Sequence, residues 1–452
     1  MHNAEYVARN LAAALLAGRW TRRALARRME QVLGRETRAV QKTALAKLLV
    51  SAPPHYPPSP AWLVAFLLAA DRDVSGNDEP FDDDERPPRL LQTPEAFHHI
   101  LKSPLFAPAE RFCGLDIPSL ATPGDLARWL AVPIQHLDWF DDETRQHGRT
   151  DIPILQHYGY AFAPKASGPP RLIEAPKSRL KTLQRRILHG ILDRVPAHDA
   201  AHGFVAGRSA ATAARAHAGE NIVMTLDLAD FFPSTPLRRV HALFRSLGYP
   251  WAVARCLTGL CSTSTPRSVF LKVSTENRHS VDIQRMYNDP HLPQGAPTSP
   301  ALANLAAWRL DTRLSGLARA YDARYTRYAD DLAFSGGERL VRRADSFIEV
   351  VAAIIEDEGY RLNPRKTRIM RRAARQRVTG LVVNDHLNVP REGYDTLKAI
   401  LHNCARNGPD VENRDGHVDF RAHLDGRIGW VEQVNPSRGQ KLRAIFERVA
   451  WS

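Results

Sequence analysis

The chain has 452 residues, of which 44% are hydrophobic and 25% are charged, the balance of an ordinary soluble globular protein. Its formal net charge of +13 favours a nucleic-acid partner over a merely basic surface, because positive surfaces attract phosphate backbones. Four scattered cysteines exclude a disulfide framework and a CxxC zinc site, and they favour the reducing cytoplasm. The longest uncharged apolar run, residues 61–70, is too short to span a membrane.

The N-terminal third is predicted to be mostly helical. Leucines recur at helical spacing, so residues 1–72 are interpreted as a helical region. Residues 73–88 are acidic and rich in turn formers, which predicts a linker or loop. Residues 89–150 are the second helical part, in which Thr122 and Asp125 have the spacing of a helix N-cap. No catalytic motif lies in this third.

Two acidic motifs occur after Tyr158, where strand-like runs begin to alternate with helices. TRYADDLAFS places Asp330 and Asp331 between short β-prone segments, which predicts a hairpin with the acids at its tip. MTLDLADFF places Asp227 in an apolar strand, where an unpaired carboxylate is costly. An Asp-rich turn and a capping aspartate are the ordinary alternatives, and capping suits Asp230 better than Asp227.

Three carboxylates from two motifs indicate a site for two divalent cations. Ions about 3.5–4 Å apart can activate an attacking hydroxyl and stabilise a leaving pyrophosphate. Mg²⁺ suits this chemistry because it takes oxygen ligands and shares substrate phosphates, with Mn²⁺ as an alternative. The motifs therefore predict metal-dependent nucleotidyl transfer.

Four boxes in order carry a resemblance to a known family. YADD at 328–331 resembles the YxDD box of reverse transcriptases, and LDLADFF resembles their first acidic box. LPQGAPTSPALANLA at 292–306 resembles the PQG box, and GYRLNPRKTRIM at 359–370 resembles the following Asn-x-x-Lys-Thr stretch. The resemblance covers roughly residues 155–450.

The resemblance implies an α+β fold of the right-hand polymerase type. Fingers and a palm with an antiparallel sheet are expected over residues 151–375, and a helical, RNA-binding thumb over residues 376–452. The helical N-terminal region is then an extension to this hand.

The resemblance also assigns roles to individual residues. The catalytic residues and metal ligands are Asp227, Asp330 and Asp331, with the Leu228 carbonyl as a further ligand. Phe232 is the aromatic gate that would exclude a ribose 2′-OH, whereas its neighbour Phe231 is expected to be a core aromatic. The full nucleotide-binding set is Lys165, Arg171, Asp230, Phe231, Phe232, Gln294, Gly295 and Lys366.

A basic segment after the palm is interpreted as an RNA-contact surface, because residues 361–380 hold eight basic residues and no acid. Val378-Thr379-Gly380 resembles the VTG signature of retron reverse transcriptases, and the run that follows is expected to be a strand pair turning about Asn384-Asp385. The predicted RNA-binding residues are Arg208, Arg368, Arg371, Arg372, Arg375, Arg377, Thr379 and Gly380.

The retron resemblance implies a structured noncoding RNA as template, deoxynucleoside triphosphates as substrates and a cDNA product. Priming from an RNA 2′-OH would give branched RNA–DNA, and a separate effector protein in antiphage defence is a further implied partner. The chain departs from the family in lacking an Asn-Ala-x-x-His box. A group II intron-like or other domesticated reverse transcriptase, a catalytically silent RNA-binding scaffold and a terminal transferase stay open as alternatives.

Overall fold

The computed structural model describes residues 4–33, 39–51, 59–74, 91, 104–142, 150, 152–165, 169–271 and 281–451. The chain divides into two compact units. The first unit comprises Met1–Pro196 and Thr235–Leu302, and the second comprises Ala197–Ser234 and Ala303–Ser452. The predicted acidic linker lies outside the described residues from residue 75 onward.

The first unit begins with four helices, which confirms the helical prediction for the N-terminus. Their apolar faces are buried, with Leu11, Leu15, Leu25 and Met29 fully enclosed, as expected for amphipathic helices packing on one another. The helices are α1 (Ala4–Leu16), α2 (Arg22–Leu33), α3 (Ala39–Ser51) and α4 (Pro60–Val74).

Two short helices follow, α5 (Pro123–Leu130) and α6 (Ile134–Asp141). The predicted cap of α5 is confirmed: Thr122 Oγ1 accepts from Asp125 N, and the Asp125 carboxylate accepts from Thr122 N at 2.9 Å. The helical prediction is wrong for residues 104–121, which are extended apart from a single 3₁₀ turn. Prolines at 104, 108 and 118 interrupt this stretch. The backbone N–H groups of Ala107 and Ala109 instead donate to the carbonyls of Gly248 and Ser246.

An antiparallel hairpin and six helices complete the first unit. The hairpin joins β1 (Tyr158–Ala163) to β2 (Arg171–Pro176). A small apolar core of Leu172, Val269, Phe270 and Tyr287 anchors β2. The helices are α7 (Ser178–Gly190), α10 (Leu237–Ser246), α11 (Trp251–Leu260), α12 (Arg267–Leu271), α13 (Val281–Asn288) and the start of α14 (Ser299–Ala306).

The second unit is built on a four-stranded antiparallel sheet in the order β4-β5-β3-β6. Its strands are β3 (Ile222–Asp227), β4 (Ala323–Tyr328), β5 (Asp331–Gly336) and β6 (Arg368–Arg371). The buried Phe334 ring stacks on Tyr325 and meets Phe347 edge-on, so the sheet packs against helices through aromatic contacts. The helices are α8 (Ala210–Arg215), α9 (Phe231–Ser234), α15 (Trp308–Ala320), α16 (Glu338–Arg342) and α17 (Ala344–Asp357).

The C-terminal part contains a two-residue hairpin and three helices with a shared apolar core. The strands β7 (Arg377–Val378) and β8 (Leu381–Val382) turn at Thr379 and Gly380, which both have positive φ as a tight hairpin requires. The predicted turn about Asn384-Asp385 is only a wider bend closed by one bridge between Val382 and Asn388. The helices are α18 (Arg391–Asn407), α19 (Phe420–Val434) and α20 (Pro436–Phe446).

Within the ranges given above, none of the helices has both the length and the apolar character needed to cross a bilayer.

Candidate active site

The three predicted catalytic acids lie together at one end of the second unit's sheet. Asp227 ends β3 and is the direct cross-strand partner of Asp331, which begins β5. Asp330 lies in the tip between β4 and β5, where Ala329 adopts a positive φ of 57°. The Leu228 N–H donates to the Asp330 carbonyl at 2.9 Å, which ties the tip to the end of β3. The predicted hairpin with acids at its tip is confirmed.

The charges of these acids act on one another. Although the Asp331 side chain reaches solvent, the protein atoms around it raise its pKa, and the charges of Asp330 and Asp227 add to that effect. The resulting pKa of Asp331 is about 6, against an ordinary value of 3.8. Lys366 opposes the rise without cancelling it. The negative charge of the three acids therefore exceeds what Lys366 neutralises.

Asp227 is the acid that protein groups already hold. Its side chain is buried, and Lys366 Nζ donates to its Oδ2 at 2.8 Å while Asn363 Nδ2 donates to its Oδ1 at 3.2 Å. The Asn363 backbone N–H also bonds to the Asp227 carbonyl. Burial lowers the pKa of Lys366, but the hydrogen bond and charge of Asp227, with the other two acids, raise it overall. Lys366 is therefore a fixed positive charge at this site.

The donor set suits a hard divalent cation, although no group of three His, Cys, Asp or Glu in the described part of the chain already has the arrangement of a metal site. The Asp227 carboxylate is paired with Lys366 Nζ at 2.8 Å. Carboxylate oxygens are the donors that Mg²⁺ prefers, and an added cation would relieve the repulsion that raises the pKa of Asp331. The residues present thus fit the expected metal.

A buried arginine supports the hairpin tip, and the sequence reasoning missed it. Arg327 is fully buried and makes a bidentate ion pair with the buried Asp311, at 2.6 and 2.8 Å. Its Nη1 also donates to Asn304 Oδ1 at 2.8 Å and to the Ala329 carbonyl at 3.1 Å. Because the Ala329 carbonyl immediately precedes Asp330, this network fixes the backbone that carries the acids.

Gly203 packs directly against the same tip. A Cβ at this position would lie 2.6 Å from the Ala329 nitrogen, closer than any ordinary contact. Asn304 Nδ2 donates to the Gly203 carbonyl at 2.8 Å, so Asn304 joins Gly203 to Arg327. Only glycine leaves room for the observed tip.

The predicted aromatic pair separates as expected into one buried and one partly exposed ring. Phe231 is buried and packs against Phe232 and Tyr360, with the Arg327 guanidinium over its ring at 5.6 Å. Phe232 is half-buried, and its ring lies 6.2 Å from that of Phe204, which is 53% exposed. Asp230 adopts a positive φ, and its carbonyl accepts from Ser234 at the end of α9.

The structure brings four predicted RNA-binding residues together with an acid. A cleft of about 320 Å³ has Asp331, Arg368, Arg377, Thr379 and Gly380 among its lining residues. Both arginines are exposed, so their charges are available to a ligand in the cleft. The tight hairpin that positions Thr379 is anchored because the Thr379 hydroxyl donates to the Ala210 carbonyl at 3.0 Å.

The other predicted RNA-binding arginines have different surroundings. Arg208 Nη1 donates to the carbonyls of His198, Asp199 and Ala201, which gives this guanidinium a structural role. The other three, Arg371, Arg372 and Arg375, are exposed and do not line the cleft. Arg372 forms an exposed ion pair with Asp385, and Arg375 forms one with Glu392.

The remaining nucleotide-binding candidates belong to the first unit. Lys165, two residues after β1, and Arg171, the first residue of β2, are both exposed. The Gln294 carbonyl accepts from Glu174 N at 2.9 Å, so the PQG box lies along β2. Gly295 has a φ of 140°, and a Cβ there would lie 2.9 Å from the Glu174 carbonyl oxygen.

Glu174 organises this part of the first unit, although in the sequence it is simply the one acid in a basic segment. Its fully buried carboxylate accepts from the Thr265 hydroxyl at 2.5 Å and contacts His291 Nε2 at 2.9 Å. Burial lowers the pKa of His291, but the charge and hydrogen bond of Glu174 raise it overall. Because His291 lies three residues before Gln294, this pair positions the PQG box.

Comparison with known proteins places these observations in a family context. Residues 163–388 match the family model described as reverse transcriptase (RNA-dependent DNA polymerase). The chain is 43% identical over 293 residues to the Retron Mx65 reverse transcriptase of Myxococcus xanthus, over 64% of this chain and 64% of that protein, just under two thirds of its length.

Two further relatives are similar over larger shares of their own length. The Retron Mx162 reverse transcriptase of Myxococcus xanthus is 37% identical over 349 residues, which is 74% of this chain and 68% of that protein. The Retron Ec86 reverse transcriptase of Escherichia coli is 33% identical over 261 residues, which is 57% of this chain and 72% of that protein. The family match contains Asp227, Asp330 and Asp331.

Proposed function

This chain belongs to the retron type of the reverse transcriptase family, and from that premise we propose that it copies part of a structured noncoding RNA into cDNA. The observation that carries the proposal is the convergence of three carboxylates, with Asp227 directly opposite Asp331 and Asp330 at the adjacent tip. A scaffold that had lost catalysis would not need to keep this costly cluster of like charges.

Asp227, Asp330 and Asp331 would hold two Mg²⁺ ions, with Mn²⁺ as a substitute and the Leu228 carbonyl as a further ligand. When bound, such ions lower the pKa of a primer hydroxyl and stabilise the leaving pyrophosphate. The chain's own contribution is to keep the acids at a fixed tip, through Arg327 and Gly203. Lys366, now on Asp227, is a positive charge suited to a phosphate of the incoming nucleotide.

The residues proposed to select and hold the deoxynucleoside triphosphate are those that the family resemblance assigns to it. Phe232 is the proposed gate against ribonucleotides, and the partial exposure of its ring supports this role. Asp230 and Phe231, its neighbours in the chain, complete this part of the proposed pocket. Lys165 and Arg171 are proposed to bind the triphosphate, and Gln294 and Gly295 to shape the pocket, because the arginine and lysine are exposed and the glycine permits close backbone approach.

The template RNA is proposed to bind along the cleft that contains Arg368, Arg377, Thr379 and Gly380. Exposed arginines favour phosphates, and RNA is recognised mainly by shape, phosphates and 2′-hydroxyls. Priming from an RNA 2′-OH, a branched RNA–DNA product, and antiphage defence with a separate effector protein complete the proposal. Because RNA and deoxynucleotides are cytoplasmic, the proposed compartment is the cytoplasm.

Polymerase activity is tested with the purified full chain, a defined RNA template annealed to a DNA primer, and the four deoxynucleoside triphosphates with Mg²⁺. The expected product follows the template sequence and disappears in Asp330→Asn. Asp345→Asn, which makes the same change at an exposed aspartate of α17 outside the cleft, is the matched control and should retain extension. Untemplated addition would indicate a terminal transferase, and no addition would support the scaffold alternative.

A further inference from the structure

The first unit contains an arginine-rich cleft that none of the proposed catalytic or RNA-contact residues lines. It has a volume of about 670 Å³ and is bordered by α1, α2 and the beginning of α11. Five arginines line it, and no aspartate or glutamate of the described residues does: Arg19, Arg23, Arg27, Arg28 and Arg255. A cleft of this size lies within the range of ordinary ligand sites of about 300–1,000 Å³.

Two of these arginines are neutralised from behind the cleft. Arg19 contacts Asp138 and Asp141, both at 3.4 Å, and Arg255 Nη2 donates to Asp141 Oδ2 at 3.0 Å. A third, Arg28, is held by the segment before α2, because its Nη1 donates to the Arg19 carbonyl at 3.3 Å. These three side chains are therefore each held by a protein partner.

Arg23 and Arg27 differ from these three arginines. They lie one helical turn apart on α2, both are exposed, and no carboxylate of the described residues lies within ion-pairing distance of either. Two cationic side chains at this spacing, facing the same cleft, repel each other, and an anion between them would remove the repulsion. Burial lowers the pKa of Arg28, the charge of Asp138 opposes this effect, and the charges of Arg255 and Arg27 add to it.

An exposed aromatic ring completes the cleft. Trp251 is the first residue of α11 and is 61% exposed, an unusual position for the largest apolar side chain. Its ring lies 6.2 Å from that of His241 at 65°, which supports one side and leaves the rest open. An exposed indole beside unpaired arginines is the arrangement that stacks a nucleobase while its phosphate is neutralised.

We infer that this cleft binds a nucleotide, with its phosphate on Arg23 and Arg27 and its base on Trp251. The nucleotide can come from a single-stranded segment of nucleic acid or from a free nucleoside triphosphate, since both present the same phosphate and base. The site shares no lining residue with the proposed catalytic acids, and it gives the N-terminal helices a function in binding. It is measured as binding, so its failure is independent of any failure of polymerase activity.

The test uses the full chain and photocrosslinking with 5-iodouridine, which attaches to aromatic rings that it contacts. Three probes at equal concentration are an eight-nucleotide single-stranded RNA carrying one 5-iodouridine, 5-iodouridine triphosphate, and the uncharged 5-iodouridine nucleoside. Adducts are mapped by peptide mass spectrometry. The expected adduct is on Trp251 with the RNA or the triphosphate and absent with the nucleoside. Labelling by the RNA alone identifies a strand as the source, and equal labelling by the triphosphate identifies a free nucleotide.

Variants of α2 decide whether the arginines hold the phosphate. Arg23→Glu with Arg27→Glu should reduce the Trp251 adduct at least about tenfold, because two phosphate contacts become repulsive. Arg23→Lys with Arg27→Lys should retain it. Arg22→Glu is the matched control, since Arg22 is exposed on the same helix and does not line the cleft. Circular dichroism confirms that each variant is folded.

Three results would overturn the inference. One is no adduct on Trp251 with either phosphorylated probe, and another is an adduct that survives the double charge reversal. The third is competition by a polyglutamate peptide as strong as that by the triphosphate, which would indicate an acidic protein segment as the occupant. A parallel primer-extension assay with the same variants is expected to show unchanged polymerase activity, because Arg23 and Arg27 are not among the proposed catalytic or nucleotide-binding residues.

Discussion

Asp227 and Asp331 are direct cross-strand partners, but only Asp227 has a positive side chain bound to it. In agreement with this asymmetry, the surrounding protein atoms and the two neighbouring acids raise the pKa of Asp331 to about 6, whereas Asp227 is paired with Lys366. Two acids at one sheet end are therefore held in different electrostatic states before any metal binds.

The first prediction concerns pH and stability of the metal-free protein. Because the folded-state pKa of Asp331 lies above its ordinary value of 3.8, the folded state binds the proton more tightly. The stability that this group contributes is fully present below that value and is lost as pH rises through about 6. In EDTA, Asp331→Asn should therefore raise the Tm at pH 8 and leave it nearly unchanged at the lowest pH at which the protein is folded.

Thermal unfolding followed by circular dichroism measures this difference, and Asp227→Asn provides the contrast. That change removes the partner of Lys366, so the Tm at pH 8 should not rise. An equal rise in both variants would mean that the two acids are electrostatically equivalent.

The second prediction concerns the buried arginine under the hairpin tip. Arg327→Met leaves the buried Asp311 without its bidentate partner, which should cost about 3–5 kcal/mol in the free energy of unfolding. The double variant Arg327→Met with Asp311→Leu should recover part of the loss, because no buried charge then lacks a partner.

Urea denaturation monitored by tryptophan fluorescence gives these values. Arg324→Met, on the same strand but exposed, removes an ion pair to Glu220 and a hydrogen bond to the Ala216 carbonyl, and should cost only about 1 kcal/mol in the free energy of unfolding. A cost for Arg327→Met as small as for Arg324→Met would remove the proposed role of the network.

The third prediction concerns the glycine that touches the tip. Gly203→Ala places a methyl group 2.6 Å from the Ala329 nitrogen, so the tip must move away from its present position. Overpacking of this kind costs about 1–3 kcal/mol, and a misplaced acid should lower kcat by roughly a hundredfold.

Gly316→Ala is the matched control, because nothing lies within 4 Å of its added methyl group and it lies within the helix α15. This control should keep kcat and slightly stabilise the protein. Wild-type kcat in Gly203→Ala would show that the tip does not depend on this contact.

The fourth prediction concerns the pair behind the PQG box. Glu174→Gln removes the charge that raises the pKa of His291, so the pKa of the buried imidazole should fall and its contact with residue 174 should weaken. If Gln294 and Gly295 shape the nucleotide pocket, the KM for deoxynucleoside triphosphates should rise more than kcat falls. Steady-state kinetics measures the split, with Lys181→Gln on the exposed side of α7 as a control. A fall in kcat alone, with KM unchanged, would contradict a positioning role.

Features set by neighbours in the chain could be predicted from the sequence. The cap of α5 needs only Thr122 and Asp125, and the β4–β5 hairpin needs only two β-prone runs around a turn. The position of Asp227 at the end of an apolar strand is equally local. These elements therefore appear in the structure where the sequence places them.

Features set by distant partners could not be predicted in this way. Arg327 looks like an ordinary surface residue in TRYADD, and only its contacts with Asp311 and Asn304 reveal that it is buried. Arg208 looks like a free cation, but three carbonyls accept from its guanidinium. A periodic pattern of apolar residues indicates which face of a helix or strand is buried, but it does not identify a polar partner on another segment of the chain.

The turn after β7 shows a third kind of limit. Asn384-Asp385 is the stronger turn signal, yet the tight hairpin turns at Thr379-Gly380. The Thr379 hydroxyl is held by the Ala210 carbonyl, and this contact stabilises a positive φ that a threonine does not favour alone. A contact with a distant residue, and not the local sequence alone, therefore decides where the tight turn forms.

The central claim is that this chain copies its own structured RNA, and the most direct measurement is to purify the full protein from its native host and sequence the nucleic acid bound to it. The account predicts one short RNA joined through a 2′-linkage to a cDNA copy, mapping beside the gene for this chain, and predicts RNA without cDNA in Asp330→Asn with Asp331→Asn. Heterogeneous RNA, or cDNA that persists in that double variant, would contradict the account.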